Sequence, residues 1–150
     1  MLYFSHRGYG YSKTLCEDIV DWFISNYLPR HKIDLIINHR GLKREFVHGW
    51  ANIEDCDYRP RAFFIEMQSN LDKKMYGITL LHELWHVYQW VMGDLKERRL
   101  KRLWKGIDHT ETDYEDQPWE VEARTMEIAL YKKYIGTEES FKFPNRLTHP

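Results

Sequence analysis

Cysteine is scarce in this chain, and long apolar runs are missing from it. The 2 cysteines, Cys16 and Cys56, are too few for a disulfide-dense secreted scaffold or a four-cysteine zinc site. A helix that spans a bilayer needs about 18 or more apolar residues in a row, and no such run occurs. The N-terminus also lacks the apolar stretch of a signal peptide. We therefore expect a cytoplasmic protein with reduced thiols and no membrane contact.

Neither sign of charge is in excess. The chain has 22 basic and 23 acidic residues, for a formal net charge of −1, so it has no global field that would attract DNA or an anionic membrane. Hydrophobic residues make up 43% and aromatic residues 15%, which is enough for a packed core. The length of 150 residues predicts a single domain over 1–150, with a polar tail from about residue 137.

Hydrophobic periodicity predicts a helix, three strands and then further helices. The first helix runs from Ser12, a candidate N-cap, to Leu28, just before Pro29. Three short segments rich in β-branched or aromatic residues follow at hairpin-like spacing, and the strands they predict are 32–38, 45–53 and 61–67. The later helices are predicted at 72–92, 95–104 and 118 to about 134. This order predicts an α+β domain in which a small, mostly antiparallel three-stranded sheet packs on a helical layer.

One motif carries most of the functional signal. The residues from His82 to His86 read His-Glu-x-x-His and lie inside the predicted helix 72–92. A spacing of four residues puts both imidazoles on one helix face, where both can reach one zinc ion at about 2.0–2.1 Å. Glu83 stands where its carboxylate can accept a proton from a zinc-bound water, whose pKa the metal lowers. The motif therefore predicts a catalytic Zn²⁺ site.

A catalytic zinc site usually has three protein ligands, so the third must come from a downstream element. If Ala123 lies at the centre of the buried face of the last helix, Glu120 lies at the edge of that face and Glu122 faces outward. A carboxylate near a small alanine can approach a neighbouring helix closely. Glu120 is therefore the preferred third ligand, and Glu122 and His109 are the alternatives.

A His-Glu-x-x-His helix followed by a glutamate on a second helix resembles the gluzincins, zinc metallopeptidases with a glutamate as third ligand. The stretch Glu120-Val121-Glu122-Ala123 is similar to their Glu-x-x-Ala pattern, in which the first glutamate binds zinc. Arg124 departs from that pattern, because many of these enzymes have Asp or Asn there, hydrogen-bonded beside the ligands. The resemblance implies that Glu120 binds zinc.

A closer resemblance is to small SprT-like or phage-encoded metallopeptidases. It covers roughly residues 49–130 and includes Arg59-Pro60-Arg61, the His-Glu-x-x-His motif continued to Gln89, and Pro118-Trp119-Glu120. It implies a minimal zincin-like fold and a zinc-dependent metallopeptidase that cleaves a peptide or protein substrate through a zinc-bound water activated by Glu83. A phage-encoded enzyme would act in the host cytoplasm or in the virion.

The same resemblance implies two further roles. In zincins the strand before the active-site helix is the edge of the sheet and pairs with an extended substrate, which here implies that role for 61–67. A tyrosine or histidine often helps to hold the oxyanion of the tetrahedral intermediate in such enzymes. Tyr114 and His109 are therefore candidates for that role.

Other functions stay open at this point. The chain could be a nucleic-acid or protein-binding module in which zinc only stabilises the fold, or a virion or assembly component. Glu83 argues against a structural zinc site, because such a site closes its fourth position with a protein ligand and does not need a neighbouring acid. Six basic residues within 96–105 raise the alternative of a DNA-facing patch, since SprT-like proteins include DNA-associated proteases. We expect instead a solvated face that pairs with acidic residues of the following loop, such as Asp108 and Glu111.

Overall fold

Three α-helices and two sheets build the computed structural model, which describes residues 1–45, 47–55 and 58–142, with 137–142 described by their backbone alone. The helices are α1 (Lys13–Tyr27), α2 (Lys73–Met92) and α3 (Pro118–Lys142). The larger sheet contains β1 (Leu2–Gly8), β2 (Ile33–Arg40), β3 (Gly49–Ile53) and β4 (Ala62–Gln68). The smaller sheet contains β5 (Leu95–Arg98), β6 (Lys101–Trp104) and β7 (Ile107–Asp108). The α+β class expected from the sequence is confirmed.

The larger sheet differs from the expected one in strand number and direction. It has four strands in the order β1-β2-β4-β3, of which β1, β2 and β4 are mutually parallel and β3 is antiparallel to β4. The expectation of three mostly antiparallel strands is therefore wrong. The parallel pair β1 and β2 is connected through α1, because parallel neighbours need a crossover that a short turn cannot supply. Cys16 of α1 is buried in the core under this sheet, and Cys56 lies outside the described residues.

The edge strands of this sheet are β1 and β3, and neither of them is the strand that directly precedes α2. β4 pairs with β2 on one side and with β3 on the other, so the expectation that 61–67 forms the edge is wrong. Within the described residues β3 pairs with β4 alone, which leaves its second side free. The side chain of Met67 on β4 and that of Thr79 on α2 both lie close to Gly49, so β3 also runs beside α2.

The segment predicted as a helix over 95–104 is a β-hairpin. β5 and β6 pair antiparallel through a turn at Arg99 and Leu100, whose φ angles are 49° and 68°. Two successive positive φ values match the tight turns that suit the twist of a hairpin. Leu95 pairs with Trp104 across the two strands. The Arg102 guanidinium lies 5.1 Å from the centre of the Trp119 ring, which fastens the hairpin to the start of α3.

The basic residues of this hairpin do not pair with the acidic loop as expected. Among the described residues, the ion pair that they make is the 3.1 Å contact between Arg102 and Glu97, which lies within the hairpin itself. In the loop, Asp108 accepts hydrogen bonds from Thr110. Within the described residues, these cations therefore make no close ion pair with the acidic loop.

Capping residues explain where the helix that carries the motif begins and ends. The Asp72 carboxylate accepts a hydrogen bond of 2.8 Å from the backbone N–H of Met75, and Gly93 ends the helix with a φ of 85°. The predicted helix 72–92 is thereby confirmed within one residue.

The last helix begins at Pro118 as predicted but continues to Lys142, beyond its expected end near residue 134. Residues 143–150 of the expected polar tail lie outside the described residues. Within the described part of the chain, none of the helices has both the length and the apolar character needed to cross a bilayer.

Gly77 allows α2 and α3 to approach each other closely. A Cβ atom at this position would lie 2.5 Å from Cε1 of Tyr131, which is far inside van der Waals contact. The aromatic ring of α3 therefore packs against bare backbone of α2. This packing holds α3 beside α2 at a point little more than one turn from His82.

We expect Gly77→Ala to destabilise the protein. Overpacking of this kind costs about 1–3 kcal/mol, and the better helix propensity of alanine offsets up to about 1 kcal/mol of it. The control is Gly136→Ala on α3, where a Cβ meets no atom within 4 Å and the change should be neutral or stabilising. Urea denaturation followed by circular dichroism measures both. An unchanged midpoint for Gly77→Ala would show that the Tyr131 ring moves aside without cost.

Candidate metal centre

Three side chains from two helices converge on one point. His82 and His86 come from α2 and Glu120 from the first turn of α3, and one ligand atom of each lies within 4.8 Å of the others. His82 Nε2 lies 3.0 Å from Glu120 Oε1, and His86 Nε2 lies 2.9 Å from Glu120 Oε2. The structure thus brings together the two histidines of the motif and the preferred third ligand. The group could hold a metal ion.

Helix geometry places each of these side chains. The two imidazoles are one helical turn apart on α2, and their ring centroids are 4.9 Å apart. Glu120 reaches them because α3 begins at Pro118 and buries Trp119 and Ala123 completely or almost completely. These two apolar neighbours fix the rotation of the first turn of α3, so the carboxylate between them points at α2.

The donor set fits a divalent metal such as zinc. Two imidazole nitrogens and one carboxylate oxygen are a common ligand set for catalytic zinc. His86 Nε2 is buried and has no hydrogen-bond partner among the described residues. The 2.9 Å approach of Glu120 Oε2 does not count as a hydrogen bond, because the oxygen lies out of line with the direction of an N–H on that nitrogen. A buried nitrogen in this position is costly unless it binds a ligand.

The second nitrogen of His82 has an acidic neighbour to which the sequence analysis gave no role at the site. His82 Nδ1 lies 3.3 Å from Glu127 Oε2, two turns beyond Glu120 on the same side of α3. His82 Nε2 makes the hydrogen bond with Glu120 in this structure, and a proton on Nδ1 would face the Glu127 carboxylate when Nε2 binds a metal instead. Arg124, which replaces the Asp or Asn of related patterns, instead donates a hydrogen bond of 2.6 Å to the backbone oxygen of Glu115. The spacing from Glu120 to Glu127 was the signal that could have revealed this neighbour.

Burial and pairing shift the pKa values of two carboxylates here in opposite directions. Burial raises the pKa of Glu120, but the hydrogen bond from His82 and the close contact with His86 outweigh it, so that pKa lies well below its usual range. Burial raises the pKa of Glu83 to about 8, and the neighbouring Glu120 and Glu127 add to the rise against the opposing effect of His82. Glu120 is thus held as a charged ligand, whereas the Glu83 carboxylate binds a proton readily.

Glu83 lines a cleft that opens beside the three converging side chains. The cleft has a volume of about 210 Å³, and His86, Glu120 and Tyr114 also line it. Glu83 is buried, and its carboxylate makes no hydrogen bond with any residue that the structure describes. The edge strand β3 also lines this cleft, through Gly49, Trp50 and Ala51. A free carboxylate therefore faces a space bounded by a metal-binding group and an open strand edge.

Tyr114 and His109 lie at different distances from this group. The Tyr114 hydroxyl donates a hydrogen bond of 3.2 Å to Glu120 Oε1. Burial, and to a smaller extent the negative charge of Glu120, raises the pKa of the Tyr114 phenol to about 12. His109 instead has its Nδ1 3.0 Å from Thr112 Oγ1 and its ring edge-on to Trp119. His109 is absent from the converging group of described residues. The structure therefore places Tyr114 at the site but gives His109 no contact with it.

The expectation that Glu122 faces solvent is wrong. Its carboxylate accepts hydrogen bonds from Trp85 Nε1 at 2.7 Å and from Gln89 Nε2 at 3.1 Å, both on α2. Gln89 is 0% exposed, and its Oε1 lies 2.8 Å from His86 Nδ1. Sequence reasoning missed the role of Gln89, although its position three residues after His86 puts both on one face of α2.

Comparison with protein-family models, with curated proteins and with solved structures finds no match for this chain. The resemblance to zincins therefore stays a prediction.

Proposed function

We propose that this protein is a zinc-dependent metallopeptidase with His82, His86 and Glu120 as metal ligands. The observation that carries the proposal is the convergence of these three ligand atoms next to Glu83, a buried carboxylate without a hydrogen-bond partner among the described residues. A structural zinc site would close its fourth position with a protein ligand. In the described part of the chain the group has three members, which favours a catalytic site over a structural one.

The side chains around the cleft have complementary roles in peptide hydrolysis. Zinc, when bound, supplies a Lewis acid that lowers the pKa of water and polarises a carbonyl group. Glu83 accepts the proton of the attacking water and returns it to the leaving amine. The Tyr114 hydroxyl also lines this cleft and would turn from Glu120 Oε1 to donate its hydrogen bond to the oxygen that becomes negative. Glu127 keeps His82 oriented through its contact with Nδ1.

The free edge of β3 is the surface on which a peptide substrate would lie. Gln68 N–H donates to His48 O at 2.7 Å, and Glu54 N–H donates to Ala62 O at 2.8 Å. Antiparallel pairing alternates, so the residues between these bonded positions, 49, 51 and 53, turn their N–H and C=O groups away from β4. Gly49 and Ala51 also line the cleft. An extended peptide that pairs with them passes directly in front of Glu83 and the metal ligands.

Metal content tests the proposal most directly. We expect one zinc ion per chain in protein purified without chelators, because two imidazoles and one carboxylate leave a fourth position for water. His82→Ala should carry far less zinc, whereas the control His109→Ala should keep one equivalent. Inductively coupled plasma mass spectrometry measures all three proteins. Wild-type protein that holds far less than one equivalent, and gains none when zinc is added, contradicts the proposal.

A further inference from the structure

Gln89 is a completely buried polar side chain that contacts three other groups. Its Oε1 lies 2.8 Å from His86 Nδ1, and its Nε2 donates to the backbone oxygen of Trp119 at 3.0 Å and to Glu122 Oε1 at 3.1 Å. Glu122 is anchored in turn by the indole N–H of Trp85 at 2.7 Å. A continuous chain of hydrogen bonds therefore runs from Trp85 through Glu122 and Gln89 to His86.

The partners of Gln89 determine which way its amide faces. A backbone carbonyl and a carboxylate can only accept hydrogen bonds, so the NH₂ group must point to Trp119 and Glu122. The amide oxygen must then point to His86, and it can only accept. His86 Nδ1 therefore carries a proton, which leaves the lone pair of Nε2 available for a metal ion.

The other tautomer of His86 would work against metal binding. With the proton on Nε2, that nitrogen would have no lone pair to offer a metal ion, and binding needs an unprotonated nitrogen. Its N–H would also make no hydrogen bond among the described residues, because Glu120 Oε2, 2.9 Å away, lies out of line with it. His86 Nδ1 would meanwhile face the Gln89 oxygen with no proton between two acceptors.

We propose that Gln89 and Glu122 are positioning residues that hold His86 in the tautomer with its proton on Nδ1, so that Nε2 is ready to bind the metal. The consequence for zinc affinity rests on the proposed function. The tautomer itself does not, because the hydrogen bonds that set it are present without metal.

The first test replaces the glutamine by a side chain of similar size that lacks the amide oxygen, which accepts the hydrogen bond from His86 Nδ1. In Gln89→Met we expect zinc affinity, measured by competition with a chelating dye, to fall about 10–100-fold, the usual effect of losing a partner behind a metal ligand. Long-range ¹H–¹⁵N correlation spectra of metal-free protein should show a proton on His86 Nδ1 in the wild type and a population with Nε2–H in the variant. Gln68→Met is the matched control. It removes a buried glutamine that bonds to the backbone of Leu42 and Ser69, and it should change neither readout.

The second test reverses the order of donor and acceptor. Gln89→Glu alone sets a new carboxylate against Glu122 and the Trp119 carbonyl, so we expect weak zinc binding. Adding Glu122→Gln supplies an amide that can donate to the new carboxylate and still accept from Trp85. The double variant should recover zinc affinity to within about tenfold of wild type, which a merely space-filling role for Gln89 would not produce.

Each result bears on one proposal or the other. Wild-type protein without a proton on His86 Nδ1, or a Gln89→Met variant with wild-type zinc affinity, overturns the positioning role. Failure of the double variant to improve on Gln89→Glu does the same. If wild-type protein binds no zinc at all, the proposed function fails, while the tautomer in the metal-free protein still decides the role of Gln89. If Gln89→Met does not fold, the double variant and the wild-type spectrum decide it.

Discussion

Glu83→Gln is expected to lower peptide hydrolysis at least about 10²–10⁴-fold while one zinc ion stays bound, since that is the usual loss when a general base is removed. Glutamine keeps the shape of the side chain but cannot accept a proton. Glu83 stands outside the group of converging ligand atoms, so metal content should not change. The substitution is also mild for the fold, because the carboxylate is buried and makes no hydrogen bond with a described residue.

The measurement compares cleavage of a mixed peptide library by mass spectrometry with zinc content on the same samples. Glu45→Gln is the control, because Glu45 is an exposed carboxylate that pairs with Arg40 at 3.1 Å, outside the residues that line the cleft. It should cleave at the wild-type rate. A Glu83→Gln protein that is as active as wild type on any peptide the wild type cleaves would be incompatible with the proposed mechanism. Loss of both zinc and activity would instead point to a role as a ligand.

The motif on α2 could be placed from the sequence because its geometry is local. The spacing of His82 and His86 fixes their common face once the segment is a helix. The caps at Asp72 and Gly93 are visible as residue types that begin and end helices. Glu120 could be predicted as the third ligand in the same way, because Pro118 sets the start of α3 and the buried residues Trp119 and Ala123 set its inner face.

The partners behind the ligands could not be derived in this way. A helical wheel assigns Glu122 to the outer face, but the structure shows that donors on α2, Trp85 Nε1 and Gln89 Nε2, reach that carboxylate. Their contact depends on how closely α2 and α3 approach, which is a tertiary property set in part by Gly77. Glu127 is a partial exception. Its spacing from Glu120 puts both on one side of α3, but its contact with His82 still depends on how α2 and α3 pack.

The errors in the two sheets have different origins, one local and one non-local. The hairpin of β5 and β6 turns at Arg99 and Leu100, and neither is an Asn or Gly of the kind that marks a tight turn in a sequence. Without that mark, the spacing of the apolar residues in 95–104 predicted a helix. The sheet order was equally hidden. β4 inserts between β2 and β3, although β3 comes first along the chain, and no local pattern encodes this insertion.

Removal of the Glu120 carboxylate is expected to weaken zinc binding more than any other single substitution on α3. Glu120 is the only residue of α3 in the converging group of described residues, and it contacts both histidines within 3.0 Å. Without it two neutral imidazoles remain, and the negative charge that offsets a divalent ion is lost. We expect Glu120→Ala to lose more than about 100-fold in zinc affinity, beyond the range for residues that act behind a ligand.

A series of alanine variants on and before α3 separates a ligand from a neighbour that orients one. Glu127→Ala removes only the contact with His82 Nδ1, so its loss should be about 10–100-fold. Glu111→Ala changes an exposed carboxylate of the preceding loop and should bind zinc as the wild type does. Chelator competition at constant pH measures the whole series. If Glu127→Ala loses as much affinity as Glu120→Ala, or Glu120→Ala loses none, then Glu120 is not the third ligand, and the carboxylate that reaches the metal has to be sought at Glu127.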